Sequence, residues 1–205
     1  MSCEQDFGGN FIKNCNHIPK AGVLKEWIGI HDDLDLNATK LTKDAATGKY
    51  AVDQLVLKAD KSIYRVEGND KQFKLKDEKA ENDFVEGHIH TNTTTFIDKS
   101  QAELMKINAM NGGRFFSIVE TVDRGGDGLT KFLIGGLESG MKITTNDFDT
   151  AENSGVRTVE LKTQENALEG TTVLPVLLED PNTGTGDPTP ETTLAALLEL
   201  EYVPA

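Results

Sequence analysis

The chain has 205 residues, of which 37% are apolar, and its 34 acidic residues against 21 basic ones give a net charge of −13. This length favours one domain, and no apolar stretch approaches the roughly 20 residues that span a bilayer. So acidic a composition disfavours nucleic-acid binding, which needs clustered Lys and Arg. Residues 1–6 lack the basic and apolar segments of a secretory signal, so we expect synthesis in the cytoplasm.

Strand signals dominate the first half of the chain. β-Branched and aromatic residues follow a turn cluster and predict a first strand. Further along the chain, alternating apolar and charged residues predict a strand with one solvent-exposed face. A stretch without large apolar residues, 77–83, predicts a solvated loop. The predicted strands are Gly22–Ile30, Leu34–Ala38, a hairpin of Tyr50–Lys58 with Ser62–Glu67, then Lys71–Lys76 and Phe84–Phe96.

One amphipathic helix interrupts the strands. Ser100 and Glu103 have the spacing of a capping box, and Leu104, Ile107 and Met110 recur along one side. A glycine pair at 112–113 ends the pattern, as glycine does at helix C-termini. The sequence therefore predicts a helix of about three turns over residues 100–111 whose apolar side packs on a sheet.

Strand patterns resume after the helix. Arg114–Val122 and Leu129–Ile134 flank a glycine-rich segment, Asp123–Gly128, which predicts a hairpin loop. Further strands are predicted at Leu137–Thr145, Val156–Thr163 and Thr171–Glu179, with an acidic loop containing Asp147, Asp149 and Glu152.

The C-terminal extension has a different composition. Residues 180–191 are rich in Pro, Thr and Gly, which is typical of a linker. A short helix is predicted after Thr192 and Thr193, and its leucines are too few to form a core of their own. They must dock on this domain or on a neighbouring copy, and the sequence leaves both open. The candidate interface residues are Leu194, Leu197, Leu198, Leu200 and Tyr202.

The first candidate site for chemistry is a pair of histidines, His88 and His90. His88 and His90 would share one face of a strand, yet a metal site needs further ligands, so exposed histidines are the simpler interpretation. The 123–128 loop lacks the alternating ligands of a calcium site. Cys3 and Cys15 match no zinc spacing and are interpreted as ordinary thiols. We therefore predict no catalytic residue, cofactor or metal.

Two segments carry a resemblance to a family. Asn14–Val23 resembles the opening of small virion proteins from phages of Bacteroidetes bacteria. The helix at 100–111, the run Gly112–Glu120, the glycine hairpin and the run Phe132–Gly140 follow in the order of the phage major tail protein, or tail tube protein. The likeness extends from Asn14 to Asp180 and is one of pattern and order.

The resemblance implies a structural role. Tail tube proteins form stacked rings around a channel, and DNA passes through it without specific binding. An acidic lumen would repel the phosphates of DNA, which suits a net charge of −13. The implied partners are further copies of the chain and other tail or connector proteins. The implied location is the virion, with no membrane involved and no enzymatic activity.

The fold prediction is a mainly β domain, a β-sandwich or barrel with one flanking α-helix and a C-terminal extension. We expect an N-terminal arm at 1–21, the domain at 22–180, and the linker with its apolar segment at 181–205. Alternative functions are another virion ring, a head–tail connector, a collar or a capsid decoration protein. Two other classes are a soluble β-sandwich binding module and a metal-dependent enzyme that uses His88 and His90.

Overall fold

The computed structural model describes residues 20–44, 49–67, 72–81, 86–97, 100–125, 127–148, 156–179, 181 and 187–203. The fold is mainly β, with eleven strands and two α-helices in this part of the chain. The strands are β1 (Val23–Ile30), β2 (Lys40–Asp44), β3 (Lys49–Gln54), β4 (Tyr64–Val66), β5 (Phe73–Glu81), β6 (Glu86–Phe96), β7 (Phe115–Thr121), β8 (Phe132–Gly135), β9 (Met141–Phe148), β10 (Arg157–Thr163) and β11 (Leu174–Pro175). The helices are α1 (Gln101–Ala109) and α2 (Pro190–Leu200).

Nine strands form one antiparallel sheet that folds into two layers. Layer A has the order β4–β1–β7–β8–β11, and layer B has the order β9–β10–β6–β5. In the described part of the chain, a single residue pair, Phe115 with Met141, joins β7 of layer A to β9 of layer B. The remaining strands, β2 and β3, form a separate hairpin beside β11.

The inner faces of the two layers pack on each other. Val23 and Val119 of layer A lie against Phe73 of layer B. Along β1, Glu26 faces layer B, so alternation turns its neighbour Trp27 to the opposite face of layer A. There Trp27 meets Val52 of β3 and Leu197 of α2. Layer A is therefore buried on both faces, and the molecule has three levels: layer B, layer A, and the β2–β3 hairpin with α2.

The structure confirms the first helix and the glycine hairpin. The Ser100 hydroxyl accepts a hydrogen bond from the Glu103 amide at 3.3 Å, which caps α1 as the spacing predicted. Within α1 only Ile107 is buried, and Met105 is 65% exposed, so the predicted apolar side is narrow. Residues 122–131 connect β7 to β8, which pair antiparallel.

Several predictions in the first half of the chain are wrong. The Tyr50–Lys58 and Ser62–Glu67 segments do not pair with each other, because β3 pairs with β2 and β4 with β1. The expected strand at 34–38 is mostly a turn. The expected loop at 77–83 is strand as far as Glu81, in register with Glu86. Neighbouring strands supply the backbone hydrogen bonds there, so pairing overrides a polar local composition.

The C-terminal helix also differs from its prediction. It begins at Pro190 rather than Leu194, and Thr189 and Thr192 exchange hydrogen bonds in a capping box. Pro at the first helical position suits this start, because the missing amide has no intrahelical partner there. No helix in the described part of the chain is long and apolar enough to cross a membrane.

The turn between β8 and β9, where the chain passes from layer A to layer B, gives the first prediction. Gly140 has φ of +75°, and a Cβ atom there would lie 2.9 Å from the His31 ring. Gly140→Ala should lower the free energy of unfolding by about 2–4 kcal/mol, through the left-handed backbone and the clash together. Urea denaturation measures this change.

The matched control is Gly128→Ala. Gly128 has φ of +76°, but nothing lies within 4 Å of its added Cβ. It should cost only about 1 kcal/mol, which is the backbone contribution alone. Equal losses in the two variants would show that the contact with His31 is unimportant.

Candidate functional site

The C-terminal segment docks on its own domain. Leu197 is fully buried in the core beside Trp27, and Leu194 and Leu200 pack at the edge of the same cluster. The Thr193 hydroxyl accepts a hydrogen bond from the Leu178 amide at 3.0 Å. Of the two possibilities that the sequence left open, the structure shows docking in the same chain for α2.

The residues after α2 continue this attachment. The Ile63 amide donates to the Leu200 carbonyl, and the Tyr202 amide donates to the Ile63 carbonyl, both at 2.9 Å. Glu201 lies 3.4 Å from the Trp27 indole nitrogen and 3.4 Å from Nε of Arg65. Backbone, core and ion-pair contacts together therefore hold the extension on layer A.

Part of the C-terminal segment stays exposed. Leu198 is 44% exposed, Tyr202 52% and Val203 79%. The Tyr202 ring lies 5.6 Å from the ring of Tyr64, which is also exposed. Of the five predicted interface residues, Leu198 and Tyr202 are thus the two whose side chains face solvent, and their role at an interface stays a prediction.

The two histidines of β6 have different surroundings. His90 is buried, so its interpretation as exposed is wrong, while His88 is half-buried. The Asp77 carboxylate lies 2.9 Å from Nδ1 of His88 and 3.7 Å from Nε2 of His90. Nδ1 of His90 accepts the Gly136 amide at 3.0 Å, which places the ring proton on Nε2, toward Asp77.

The electrostatics of this cluster follow from its burial. Burial lowers the pKa of His90, so the ring is neutral at pH 7. Burial acts to raise the pKa of Asp77, but hydrogen bonds from Thr172 and His88 and the nearby imidazoles together hold it below its ordinary value. The Thr172 hydroxyl donates to Asp77, so it is not positioned as a nucleophile activated by an imidazole. The cluster ties β5, β6 and the 171–172 segment together.

The other candidate ligands accept hydrogen bonds from backbone amides, lie in a strand, or lie outside the described residues. In the 123–128 loop, Asp123 accepts the Gly125 amide and Asp127 accepts the Leu129 amide, as in Asx turns. Asp147 lies in β9 rather than in a loop. Cys3, Cys15, Asp149 and Glu152 lie outside the described residues. Among the described residues, no group of three or more His, Cys, Asp or Glu side chains could hold a metal ion.

The sequence analysis missed two carboxylates, Glu169 and Glu26, which are more deeply buried than Asp77. Glu169 accepts the amides of Glu138 at 2.8 Å and Ser139 at 3.0 Å, in the turn that joins β8 to β9. On the other side of that turn, Nε2 of His31 lies 3.0 Å from the Leu137 carbonyl and donates to it. Burial raises the pKa of Glu169 and lowers that of His31.

Glu26 lies between the two layers. Its side chain accepts hydrogen bonds from the side-chain amide of Asn92 and, at 2.7 Å, from the Thr94 hydroxyl, both on β6. Burial raises the pKa of Glu26 to about 7, although those two bonds act in the opposite direction. The sequence signal was a lone carboxylate within the apolar run of β1.

Comparison of the chain with family models, curated proteins and solved structures finds no match.

Leu197 and Leu198 give a matched pair of substitutions. Leu197→Ala should cost about 2–5 kcal/mol of unfolding free energy, because it leaves a cavity in the core. Leu198→Ala should change it by less than about 0.5 kcal/mol. Urea denaturation of both variants tests the docking of α2, and equal small effects would contradict it.

Glu26 gives a prediction of pH dependence. Its pKa is higher in the folded chain, at about 7, than its ordinary 4.5, so its protonation favours folding at low pH. As pH rises from 4.5 to 7, ionisation of Glu26 should remove about 3 kcal/mol of unfolding free energy.

Glu26→Gln removes this titration. The unfolding free energy of the variant, relative to that of the wild type, should therefore increase by about 3 kcal/mol between pH 4.5 and pH 8. Urea denaturation at both pH values measures the shift. The buried histidines titrate in both proteins and cancel in the difference. Glu103→Gln is the control, because this carboxylate on α1 is partly exposed and pairs with Lys106 at the surface. Equal pH profiles for Glu26→Gln and wild type would refute the assignment.

Proposed function

We propose that this chain is a structural protein that assembles with copies of itself into stacked rings, as the tube of a phage tail does. The observation that carries the proposal is the apolar surface beside the docked C-terminus. Leu198, Tyr202 and Val203 stay exposed although the segment has a core to pack on. The Tyr202 ring lies 5.6 Å from the ring of Tyr64, which is also exposed. Apolar side chains clustered at a surface are typical of an interface.

Three further features support this proposal. The resemblance to tail tube proteins concerns a β-sandwich with one flanking helix, and the fold is a two-layered sheet with α1 at its side. The net charge of −13 suits a channel that DNA crosses without adhering. The buried polar clusters bind backbone and strands together, which is the chemistry of a rigid building block. Further tail or connector proteins would be partners, and the virion the location.

A soluble binding module is the second candidate, and the exposed Tyr64–Tyr202 pair favours it. Aromatic rings at a surface can stack on flat ligands such as sugars. The two rings are inclined by 37°, so they do not form one flat platform. A binding module would stay a monomer at all concentrations, which separates it from the assembly proposal.

The test is the mass of the purified chain in solution as concentration rises, by sedimentation velocity. We expect the wild type to form species well above its 22.4 kDa. Leu198→Ser with Tyr202→Ser should raise the concentration needed for association by about tenfold or more, because apolar contact area is lost.

Leu36→Ser with Leu41→Ser is the control, since both leucines are comparably exposed and lie outside the C-terminal segment. It should leave association unchanged. A wild-type chain that remains a monomer at every concentration would refute the assembly proposal.

A further inference from the structure

The outer face of layer B carries a row of lysines. Lys162 of β10 pairs directly with Lys142 of β9 on one side and with Thr91 of β6 on the other. Thr91 in turn pairs with Lys76 of β5. Directly paired residues share a face of the sheet, so three ammonium groups stand in one row, which we call the lysine row.

This row has an electrostatic cost within one chain. Like charges directly opposite each other on neighbouring strands destabilise a sheet. Lys76 has a partner in Glu78 at 2.6 Å. Lys142 and Lys162 form no ion pair among the described residues, and Lys162 acts on Glu78 only through a longer-range Coulomb interaction. This is so in a chain whose net charge is −13. A carboxylate from another molecule would relieve the repulsion between them.

The opposite side of the molecule has an acidic surface that complements the charge of the lysine row. A groove of about 470 Å³ runs between β3 and α2, and we call it the acidic groove. Asp53, Glu179 and Glu199 line it, and among the described residues Lys40 is the one basic residue beside them. Leu55 and Ala196 add apolar walls. Carboxylates above apolar walls suit the aliphatic stem and charged end of a lysine side chain.

Two details make this groove electronegative. One carboxylate oxygen of Asp53 is buried and without a hydrogen-bond partner, while the other accepts the Thr42 hydroxyl. The last turn of α2 contains Glu199 and no basic residue, so the negative end of the helix dipole is uncompensated within the helix. The negative charge of Asp53 and the negative end of α2 both favour a cation in the groove.

The three-level fold sets these features on opposite sides. Layer A lies between layer B and α2, since its two faces contact Phe73 on one side and Leu197 on the other. The lysine row is on the face of layer B turned away from layer A, and the acidic groove is in the α2 level. One molecule therefore cannot join its own two features, but two molecules can.

We propose that the lysine row of one copy docks on the acidic groove of the next copy, with Lys142 and Lys162 entering near Glu179 and Glu199. This inference rests on the proposed self-assembly and adds a second contact between copies to the apolar surface at Leu198 and Tyr202. The contact joins different surfaces, so it is head-to-tail and repeats into a ring or a filament. It also predicts that this face of layer B does not line a DNA channel, because a lysine row would bind the duplex.

The test uses two charge-reversed variants of the full chain. Lys142→Glu with Lys162→Glu makes both surfaces negative, and Glu179→Lys with Glu199→Lys makes both positive. Each variant alone should need about tenfold or more higher concentration to associate than the wild type. An equimolar mixture should associate again, since each surface then finds its opposite on the other variant. Sedimentation velocity measures all three samples, and circular dichroism confirms folding.

Lys43→Glu with Lys106→Glu is the control, because it makes the same charge change on exposed residues that belong to neither layer B nor α2. It should associate like the wild type. Rising salt should weaken the wild-type contact, since ions screen charges beyond about 8 Å at physiological strength.

The outcomes separate the two proposals. Association of the wild type and of both reversed variants at equal concentration would overturn this docking mode and leave self-assembly standing. Loss of association in the variants without recovery in the mixture would also overturn it. A wild type that never associates would overturn both proposals.

Discussion

The turn between β8 and β9 is the constraint on which the two-layered fold depends. At Gly136–Gly140 the chain leaves layer A and starts layer B, with both glycines at positive φ. The buried Glu169 carboxylate accepts amides on one side of this turn, and His31 donates to a carbonyl on the other. Among the described residues, one pair alone joins the layers by strand pairing, so these bonds act with the core contacts to fix how one layer lies over the other.

The rest of the architecture follows from the way this turn lays layer B over layer A. Once layer B covers one face of layer A, the other face needs its own cover, and the β2–β3 hairpin and α2 supply it. The C-terminal leucines therefore complete the core, which leaves Leu198 and Tyr202 at the surface. The same three levels separate the lysine row from the acidic groove. Opposite charges on these two sides of the chain support the proposal that it builds an assembly.

Local signals in the sequence were reliable where local chemistry decides the structure. The cap at Ser100 and the hairpin at Asp123–Gly128 depend on neighbouring residues and were predicted correctly. Strand partners were not predictable, because residues far apart in sequence supply them. β5 extends to Glu81 because β6 pairs with it, and His90 is buried because the 136–140 turn covers it. No local pattern could place Glu169 against that turn, whereas Glu26 was visible as a carboxylate within an apolar strand.

The central claim is that this fold is a unit of a repeating assembly, and imaging tests it most directly. Negative-stain electron microscopy of the concentrated wild-type chain, at low salt, should show rings or stacked tubes with an open channel. Particles with the size of one 22.4 kDa chain at every concentration would contradict the claim.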